Sequence, residues 1–237
     1  MARILFILSS ARALPLRDGR EIATGFWAQE FIPPLEAFRA AGHGVDIATP
    51  NGRPAVLDAL CLAPEFHRDD PGRPARLQSA LAALPDWRTP LAAAALDHAA
   101  YAALFLPGGH GPVVDLADDP AIGRLVAALH GAGGLIGAIC HGPAGLLPAR
   151  TAGHWPFAGY RMTCFSPEEE RAAGLAERLP WLLPDRLRAL GAVLSFAPPG
   201  QPHVVADRRL FTGQNPASAA GLAQAMLDAL ATTDAGL

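Results

Sequence analysis

Two periodicities of apolar and polar positions alternate along the chain. Short continuous apolar runs, such as RILFILSS at 3–10 and LIGAIC at 135–140, are typical of strands buried on both faces of a parallel sheet. Between such runs lie stretches with helical apolar spacing, such as DDPAIGRLVAALHGAG at 118–133, which we expect Asp118 or Asp119 to cap. This alternation predicts an α/β fold, a mostly parallel central sheet with helices on both faces.

Three local signals refine the predicted elements. Helical spacing extends over 24–41, where the pair Pro33-Pro34 is expected to kink the helix or split it in two. HVVADRRLFTG at 203–213 predicts a hairpin that turns at Asp207-Arg208. A closing helix should follow Asn215, which is expected to cap it.

The region from about 57 to 98 has no clear period and is expected to form a variable, cap-like segment. Its polar, breaker-rich part at 64–74 predicts an exposed loop, and the stretches 75–87 and 90–99 predict short helices packed on the rim. No linker-like or low-complexity segment divides the chain. We therefore expect one α/β domain over 1–237.

Composition excludes several functional classes. The 237 residues are 51% hydrophobic and 17% charged, with a formal net charge of -3 and scattered basic residues, so no nucleic-acid partner is expected. No stretch approaches the ~20 apolar residues of a membrane helix, and the first apolar run is shorter than a usual signal-peptide core. Three cysteines do not favour a disulfide framework. These features predict a soluble, cytoplasmic protein without a membrane partner.

The most reactive side chain of the chain stands where a strand meets a helix, in GLIGAICHGPAGLL at 134–147. The small residues around Cys140 and His141 have the form of a nucleophile elbow, with cysteine in place of serine. A thiol at a helix N-terminus should be favoured as the thiolate. The alternative is an inert buried thiol, which is the favoured interpretation of Cys61 and Cys164.

Two further motifs supply candidate groups around such a thiol. In LPGGHG at 106–111, Gly108 and Gly109 let the backbone approach a ligand, and the Gly109 N–H is a natural oxyanion donor. The alternatives for His110 are a ligand and a polar loop residue, and we favour the second. Glu30 stands in an apolar run, where a buried carboxylate must find a partner or hold a proton. The alternative is that Glu30 is a partly exposed helix residue.

The segment FSPEEERAAG at 165–174 contains three consecutive glutamates. By composition it is an acidic first helical turn. The pattern alone leaves open whether any of the three reaches His141.

Together these motifs resemble the ThiJ/PfpI (DJ-one) superfamily, and within it the branch of glyoxalase III and heat-shock-protein-thirty-one-like proteins. The resemblance implies a class I glutamine amidotransferase-like fold, which is a flavodoxin-like three-layer sandwich. It covers nearly the whole chain and rests on five motifs in order: TGFWAQEFIPPLEAFRAAGHGVDIATPNGRP, LFLPGGHGPVVDL, GAICHGPAGLL, FSPEEERAAGL and HVVADRRLFTGQNPASA.

The resemblance implies a role for each matching position. Cys140 matches the nucleophile and His141 its partner base. Glu30 matches the buried acid that hydrogen-bonds the sulfur. Glu170 best matches the acid that orients the histidine, with Glu169 as the alternative should the register slip by one.

The oxyanion donors follow from the same resemblance. The backbone N–H groups of Gly109 and His141 match the oxyanion hole, and Gly108 is expected to border the substrate. One departure is Cys164, where the family commonly has glycine before the phenylalanine. We expect no metal site, because His67 in the segment 57–98 lacks the His/Glu/His set of that branch.

The function implied is a cofactor-free glyoxalase that turns methylglyoxal into lactate without glutathione, a protein deglycase, or both. The alternatives are a stress-related holdase chaperone or redox sensor, and a cysteine amidase or peptidase. The chain begins directly on its first predicted strand, without the long N-terminal extension of the bacterial chaperone-type members, which favours the enzyme. The resemblance also implies a homodimer.

Overall fold

Strands and helices alternate along most of residues 1–234, which the computed structural model describes. The strands are β1 (Arg3–Ile7), β2 (Ala13–Pro15), β3 (Glu21–Ala23), β4 (Gly44–Thr49), β5 (Leu91–Ala92), β6 (Ala103–Leu106), β7 (Leu135–Ile139), β8 (Arg161–Met162), β9 (Val193–Leu194), β10 (Val204–Asp207) and β11 (Leu210–Gly213). The α-helices are α1 (Ala28–Ala40), α2 (Arg73–Ala83), α3 (Gly111–Asp115), α4 (Pro120–Gly131), α5 (Pro167–Ala172), α6 (Leu183–Ala189) and α7 (Ala219–Asp234).

The central sheet has seven strands in the order β10-β11-β7-β6-β1-β4-β5. Every neighbouring pair is parallel except β10 with β11. The inner parallel strands β4-β1-β6-β7-β11 follow the flavodoxin-like order. In that order the ligand crevice opens between β1 and β6. The predicted fold class is confirmed.

Helices cover both faces of this sheet. Ile4 and Phe6 of β1 pack in one apolar layer with α1 and α7, while Leu5 and Ile7 pack in the other with α4. In the first layer the Phe6 ring stacks on Phe105, with centroids 4.9 Å apart. The two-sided burial explains why this strand is a continuous apolar run.

Helix α1 is shorter at its start than predicted, and it is not broken by its prolines. It begins at Ala28 and runs without a break through Pro33 and Pro34, so the expected split is wrong, while the kink stays a prediction. The prolines remove two backbone donors. Packing of the buried Phe31 and Phe38 against the sheet stabilises the helix despite this loss.

The segment 57–98 lies along the edge of the sheet and over its rim. Its predicted helix at 75–87 is confirmed as α2, followed by a 3-10 turn at Pro85–Trp87. The helix predicted at 90–99 is wrong, because Leu91–Ala92 pairs with β4 as an edge strand and only 3-10 turns follow. The loop at 64–74 is largely exposed, although His67 is buried within it.

Three smaller expectations have different outcomes. The hairpin at 203–213 is confirmed as β10 and β11, with Arg208 in the left-handed region at φ +56°. The predicted N-cap Asp119 accepts hydrogen bonds from the backbone of α4. Asn215 is the N-cap residue of the 3-10 turn Pro216–Ser218, which leads into α7, but its side chain makes no capping hydrogen bond because Oδ1 accepts from Ser218 Oγ instead. Its Nδ2 donates to Glu169 and to the carbonyl of Gln201.

Among the helices of residues 1–234, none combines the length and the apolar character needed to cross a bilayer.

Candidate active site

The sharp turn after β7 fixes the position of the candidate nucleophile. Cys140 has φ +60°, a conformation that residues other than glycine rarely adopt. Its N–H donates to the Gly213 carbonyl, and its own carbonyl accepts from the Phe165 N–H, both at 2.9 Å. A Cβ on Gly142 would collide with the Leu106 carbonyl oxygen, so the turn requires glycine there.

A chain of three side chains starts at this turn. Cys140 Sγ lies 3.4 Å from His141 Nδ1, and His141 Nε2 lies 2.8 Å from Glu170 Oε2. All three side chains are buried. Nucleophile, imidazole and orienting carboxylate are thus connected in the order that nucleophilic catalysis requires.

Glu30 approaches the sulfur from the opposite side, at the start of α1. It is fully buried, and its Oε2 accepts a hydrogen bond from the Gly108 N–H at 2.9 Å. A Cβ on Gly108 would strike both Glu30 and Cys140, so glycine lets the two side chains converge. The Gly108 N–H, expected at the oxyanion or substrate, is therefore engaged by Glu30.

Burial determines the protonation of this acid. It raises the pKa of Glu30 to about 8, against the neighbouring Cys140 thiol and the Gly108 N–H, which lower it. At neutral pH Glu30 is therefore mostly a neutral acid. The sequence predicts that a buried Glu30 finds a partner or holds a proton, and here it does both: it accepts the Gly108 N–H, and its raised pKa keeps it protonated.

Burial works against ionisation of the Cys140 thiol. It raises the pKa of Cys140 well above its ordinary value, and Glu30 raises it further whenever that acid is ionised, while the Gly109 N–H lowers it. This direction argues against the resting thiolate expected from the sequence, which stays a prediction. Only a 3-10 turn, Gly142–Leu146, follows the cysteine, so no long helix dipole offsets the burial of the sulfur.

The three consecutive glutamates have three different environments. Glu168 is exposed and pairs with Arg171. Glu169 forms a capping box with Ser166, the N-cap of α5. Glu170, one position further along the helix, contacts His141. The structure thus places Glu170, and not Glu169, behind the imidazole.

A second imidazole shares Glu170. His110 Nε2 lies 2.8 Å from Glu170 Oε1, and the His110 and His141 ring centroids are 4.1 Å apart. The interpretation of His110 as a polar loop residue is wrong. The signal that could have found it is its position directly after a strand that neighbours β7, because the carboxyl ends of parallel strands share one edge.

This arrangement sets the charges of the relay. Burial lowers the pKa of His141, and the charge of His110 lowers it further. Burial alone would raise the pKa of Glu170, but the His141 charge and the hydrogen bonds from both imidazoles lower it well below its usual range. Glu170 is therefore an anion, and His141 rests as a neutral base.

Gly109 borders the sulfur in the loop that follows β6, the strand next to β7. It has φ +86°, and a Cβ there would collide with the Gly25 carbonyl oxygen of the segment before α1. Its N–H points to the Cys140 sulfur, whose pKa it lowers. Its role as an oxyanion donor, together with the His141 N–H, stays a prediction.

The site opens into a cavity of about 1360 Å³. Cys140, His141, His110, Gly109 and Glu30 all line it, so the side chains described above face one space. The outer walls come from α1, α2 and the segment before α2, and from the turn before α7. A ligand in this cavity would meet the sulfur at the carboxyl edge of the sheet.

Comparisons with known proteins agree with this architecture. The sequence profile of the DJ-1/PfpI family matches residues 21–229. The chain belongs to the DJ-1/PfpI family. This membership confirms the resemblance to the ThiJ/PfpI superfamily.

The alignments with individual DJ-1/PfpI relatives cover most of the chain. The protein/nucleic acid deglycase HchA of Pseudomonas aeruginosa is 31% identical in an alignment of 249 positions, which covers 97% of this chain and 82% of the relative. Glutamine amidotransferase-like class 1 domain-containing protein 1 of Bos taurus is 36% identical over 214 residues, covering 86% and 88%. The crystal structure of Candida albicans glyoxalase III shares the fold, with a TM-score of 0.76, 23% identity, and coverage of 96% and 97%.

Three residues of this DJ-1/PfpI site have the donor types of a metal centre. The donor atoms of His110, His141 and Glu170 lie within 4.8 Å of one another, and two imidazoles with a carboxylate suit Zn²⁺. Here both imidazoles hydrogen-bond the carboxylate, so a cation would have to replace both contacts. His67, by contrast, hydrogen-bonds the Cys61 carbonyl and Gln29.

The other two cysteines do not line the cavity. Cys61 and Cys164 are buried and free. Burial raises the pKa of the Cys61 thiol to about 12 and also raises that of Cys164. Both have the properties of the inert thiols that the sequence predicts.

Proposed function

We propose that this protein is a cofactor-free enzyme that converts 2-oxoaldehydes such as methylglyoxal into 2-hydroxy acids such as lactate, without glutathione. The observation that supports it best is the contact chain from Cys140 through His141 to Glu170, open to a cavity at the carboxyl edge of the sheet. The reaction needs only groups of this chain and water.

In the first step the thiol adds to the aldehyde. His141 Nδ1, 3.4 Å from the sulfur, takes the thiol proton, and the imidazolium is stabilised by the anionic Glu170. The thiolate attacks the aldehyde carbon, and the carbonyl oxygen becomes an oxyanion beside the Gly109 N–H. Protonation of this oxygen by His141 gives a hemithioacetal and restores the neutral base.

In the second step a proton moves between the two carbons. A base, His141 or Glu30, removes the proton from the carbon bound to sulfur, which gives an enediol-type species. Return of the proton to the neighbouring carbon, together with transfer of the hydroxyl proton on the sulfur-bearing carbon to the neighbouring oxygen, leaves a hydroxyacyl thioester on Cys140. Glu30 suits this transfer, because its pKa of about 8 lets it both donate and accept a proton near neutral pH.

Hydrolysis completes the cycle. Water attacks the thioester carbonyl, the carbon–sulfur bond breaks, and the thiol regains its proton as the hydroxy acid leaves. The sum is one 2-oxoaldehyde and one water giving one 2-hydroxy acid, with no net oxidation.

The decisive experiment is lactate formation from methylglyoxal in the absence of glutathione. We expect turnover by the wild type and a loss of at least roughly 10³-fold in Cys140→Ser. Cys164→Ala is the matched control, since it removes another buried thiol and should keep activity wherever it remains folded. Absence of turnover by the folded wild type would refute the proposal.

Deglycation is the second candidate activity, and the name of the Pseudomonas relative favours it. Methylglyoxal forms hemithioacetals with thiols and aminocarbinols with amines. If the adduct carbon passes to the Cys140 sulfur while the thiol or amine leaves with a proton, the same Cys140 hemithioacetal results. Release of lactate from methylglyoxal-treated N-acetylcysteine, protein and nucleotide, compared at equal free methylglyoxal, would separate the two activities. The relative's name also extends to nucleic acid, so the nucleotide adduct belongs in the series although basic residues are scattered here.

The remaining hypotheses find less support in the geometry. A peroxide sensor needs an exposed, low-pKa thiolate, whereas the pKa of Cys140 is raised and its side chain is buried. Holdase activity and amide hydrolysis, measured on Cys140→Ser beside the wild type, would reveal those functions. The homodimer and the cytoplasmic location stay predictions, and light scattering tests the first.

A further inference from the structure

Exposed apolar side chains gather at the mouth of the catalytic cavity. Among residues 1–234 the exposed large hydrophobic residues are Met1, Leu60, Phe66, Leu91, Val114 and Val193. Leu60 and Phe66 line the cavity, with 53% and 49% of their surface exposed, and Trp27 lies beside them. Apolar surface left in water at the rim of a cavity is covered when a ligand binds.

Hydrogen bonds hold this rim in place. The Trp27 indole donates to Gln29 Oε1 at 2.7 Å, and its ring meets the Phe66 ring edge-on, with centroids 5.4 Å apart. The buried His67 beside Phe66 bonds the Cys61 carbonyl at 2.8 Å and Gln29 at 3.4 Å. The aromatic pair is therefore a fixed surface.

The same tryptophan connects the rim to the reactive centre. The backbone N–H of Trp27 donates to the Gly108 carbonyl at 3.1 Å. The backbone N–H of Gly108 in turn donates to Glu30 beside the sulfur. A molecule attached to Cys140 therefore lies next to the backbone that holds Trp27. Its substituent can extend from the sulfur toward the aromatic pair.

Cavity size argues in the same direction. At about 1360 Å³ the space exceeds the roughly 300–1,000 Å³ of pockets for drug-sized ligands. A three-carbon aldehyde at the sulfur would leave the rim in water. An aromatic substituent would cover it, and edge-to-face pairs such as Trp27 with Phe66 extend favourably to a third ring.

We propose that Trp27, Leu60 and Phe66 form an apolar subsite for the substituent of larger 2-oxoaldehydes, and that aryl 2-oxoaldehydes such as phenylglyoxal are better substrates than methylglyoxal. This inference rests on the proposed function. The chemistry is unchanged: phenylglyoxal and water give mandelate, while the ring takes no part in the proton transfers.

The test compares kcat/KM for both aldehydes in wild type, Phe66→Ala and Val193→Ala. We expect the wild type to favour phenylglyoxal, and Phe66→Ala to lose roughly tenfold for phenylglyoxal, mainly in KM, and less than about twofold for methylglyoxal. Val193→Ala removes an equally exposed apolar side chain outside the cavity and should change neither. An unchanged ratio of the two aldehydes in Phe66→Ala would overturn the subsite.

A binding measurement keeps this result separate from the proposed function. Mandelate, the unreactive product, should bind Cys140→Ser more tightly than lactate does, and Phe66→Ala in that background should abolish the difference. If the wild type turns over neither aldehyde, the proposed function fails while calorimetry still decides the subsite. Equal binding of mandelate and lactate would refute the subsite whatever the enzyme does.

Discussion

At the scale of single residues, Glu170 serves two imidazoles at once. One carboxylate oxygen contacts His141 and the other contacts His110, each at 2.8 Å. His110 therefore acts on the proposed base through a shared anion and through its own charge. It is a positioning residue, whose effect should appear in the pH dependence of the reaction.

Substitution of His110 tests this role. His110→Gln keeps an N–H donor for Glu170 but removes the charge that, after burial, lowers the pKa of His141. We expect the acidic limb of the kcat/KM profile to move to higher pH, and activity at a fixed pH on that limb to fall by up to about tenfold for each pH unit that the limb moves. His110→Phe also removes the N–H donor to Glu170, and it should in addition reduce the plateau of the kcat/KM profile. Superimposable pH profiles of wild type and His110→Gln would contradict the positioning role of His110.

Residue-level prediction from the sequence reached part of this site. Cys140 and His141 stand together in one motif, and their contact is local. Family register favours Glu170 and leaves Glu169 as the alternative. Ser166 stands three residues before Glu169, which is the spacing of a capping box and assigns Glu169 to the helix start. His110 was missed because its partner lies 60 residues away in the sequence.

At the scale of elements, Glu169 connects α5 to the turn before α7. Its carboxylate accepts hydrogen bonds from five donors, namely Ser166 N, Ser166 Oγ, Gly200 N, Gln214 Nε2 and Asn215 Nδ2. This cluster fixes the helix that carries Glu170. The two neighbouring glutamates should therefore respond differently to the same substitution.

Matched glutamine variants measure this difference. Glu169→Gln leaves buried donors without an acceptor and should lower the stability by about 3 kcal/mol, or the Tm by about 10 °C. Glu170→Gln should lower kcat by roughly 10³-fold, as expected for a lost orienting carboxylate, with the smaller change in Tm. Calorimetry and kinetics on both variants test the assignment, which a larger Tm loss in Glu170→Gln would reverse.

Elements differ in how far the sequence predicts them. The buried strands and α4 combine clear periodicity with Gly, Pro or Asp signals at their ends. The edge strand Leu91–Ala92 could not be predicted, because its two residues pair with β4 through the backbone and leave no side-chain pattern. In helix α1 the local signal is present but is overridden, because burial of the apolar face stabilises the helix by more than its two prolines destabilise it.

At the scale of the whole molecule, Glu30 makes stability depend on pH. Its pKa of about 8 in the folded state exceeds the ordinary value of 4.5, so the folded chain holds a proton that the unfolded chain releases. This contribution is fully present below pH 4.5 and is lost as the pH rises toward 8.

Glu30→Gln removes that dependence. The difference in stability between Glu30→Gln and wild type should change in favour of the variant by up to about 1.4 kcal/mol per pH unit between about pH 5 and 8, and level off above about 8. Glu36→Gln, an exposed position on the same helix, should show no such trend. Parallel curves for wild type and Glu30→Gln in chemical denaturation would refute the buried neutral acid.

The enclosed sulfur has a consequence for the protein between turnovers. Its raised pKa and its burial keep the thiolate population low, so oxidation of the idle protein should be slow. The sulfur becomes open to oxidants during the reaction, when His141 holds the thiol proton, so oxidative inactivation should increase with the number of turnovers rather than with storage time.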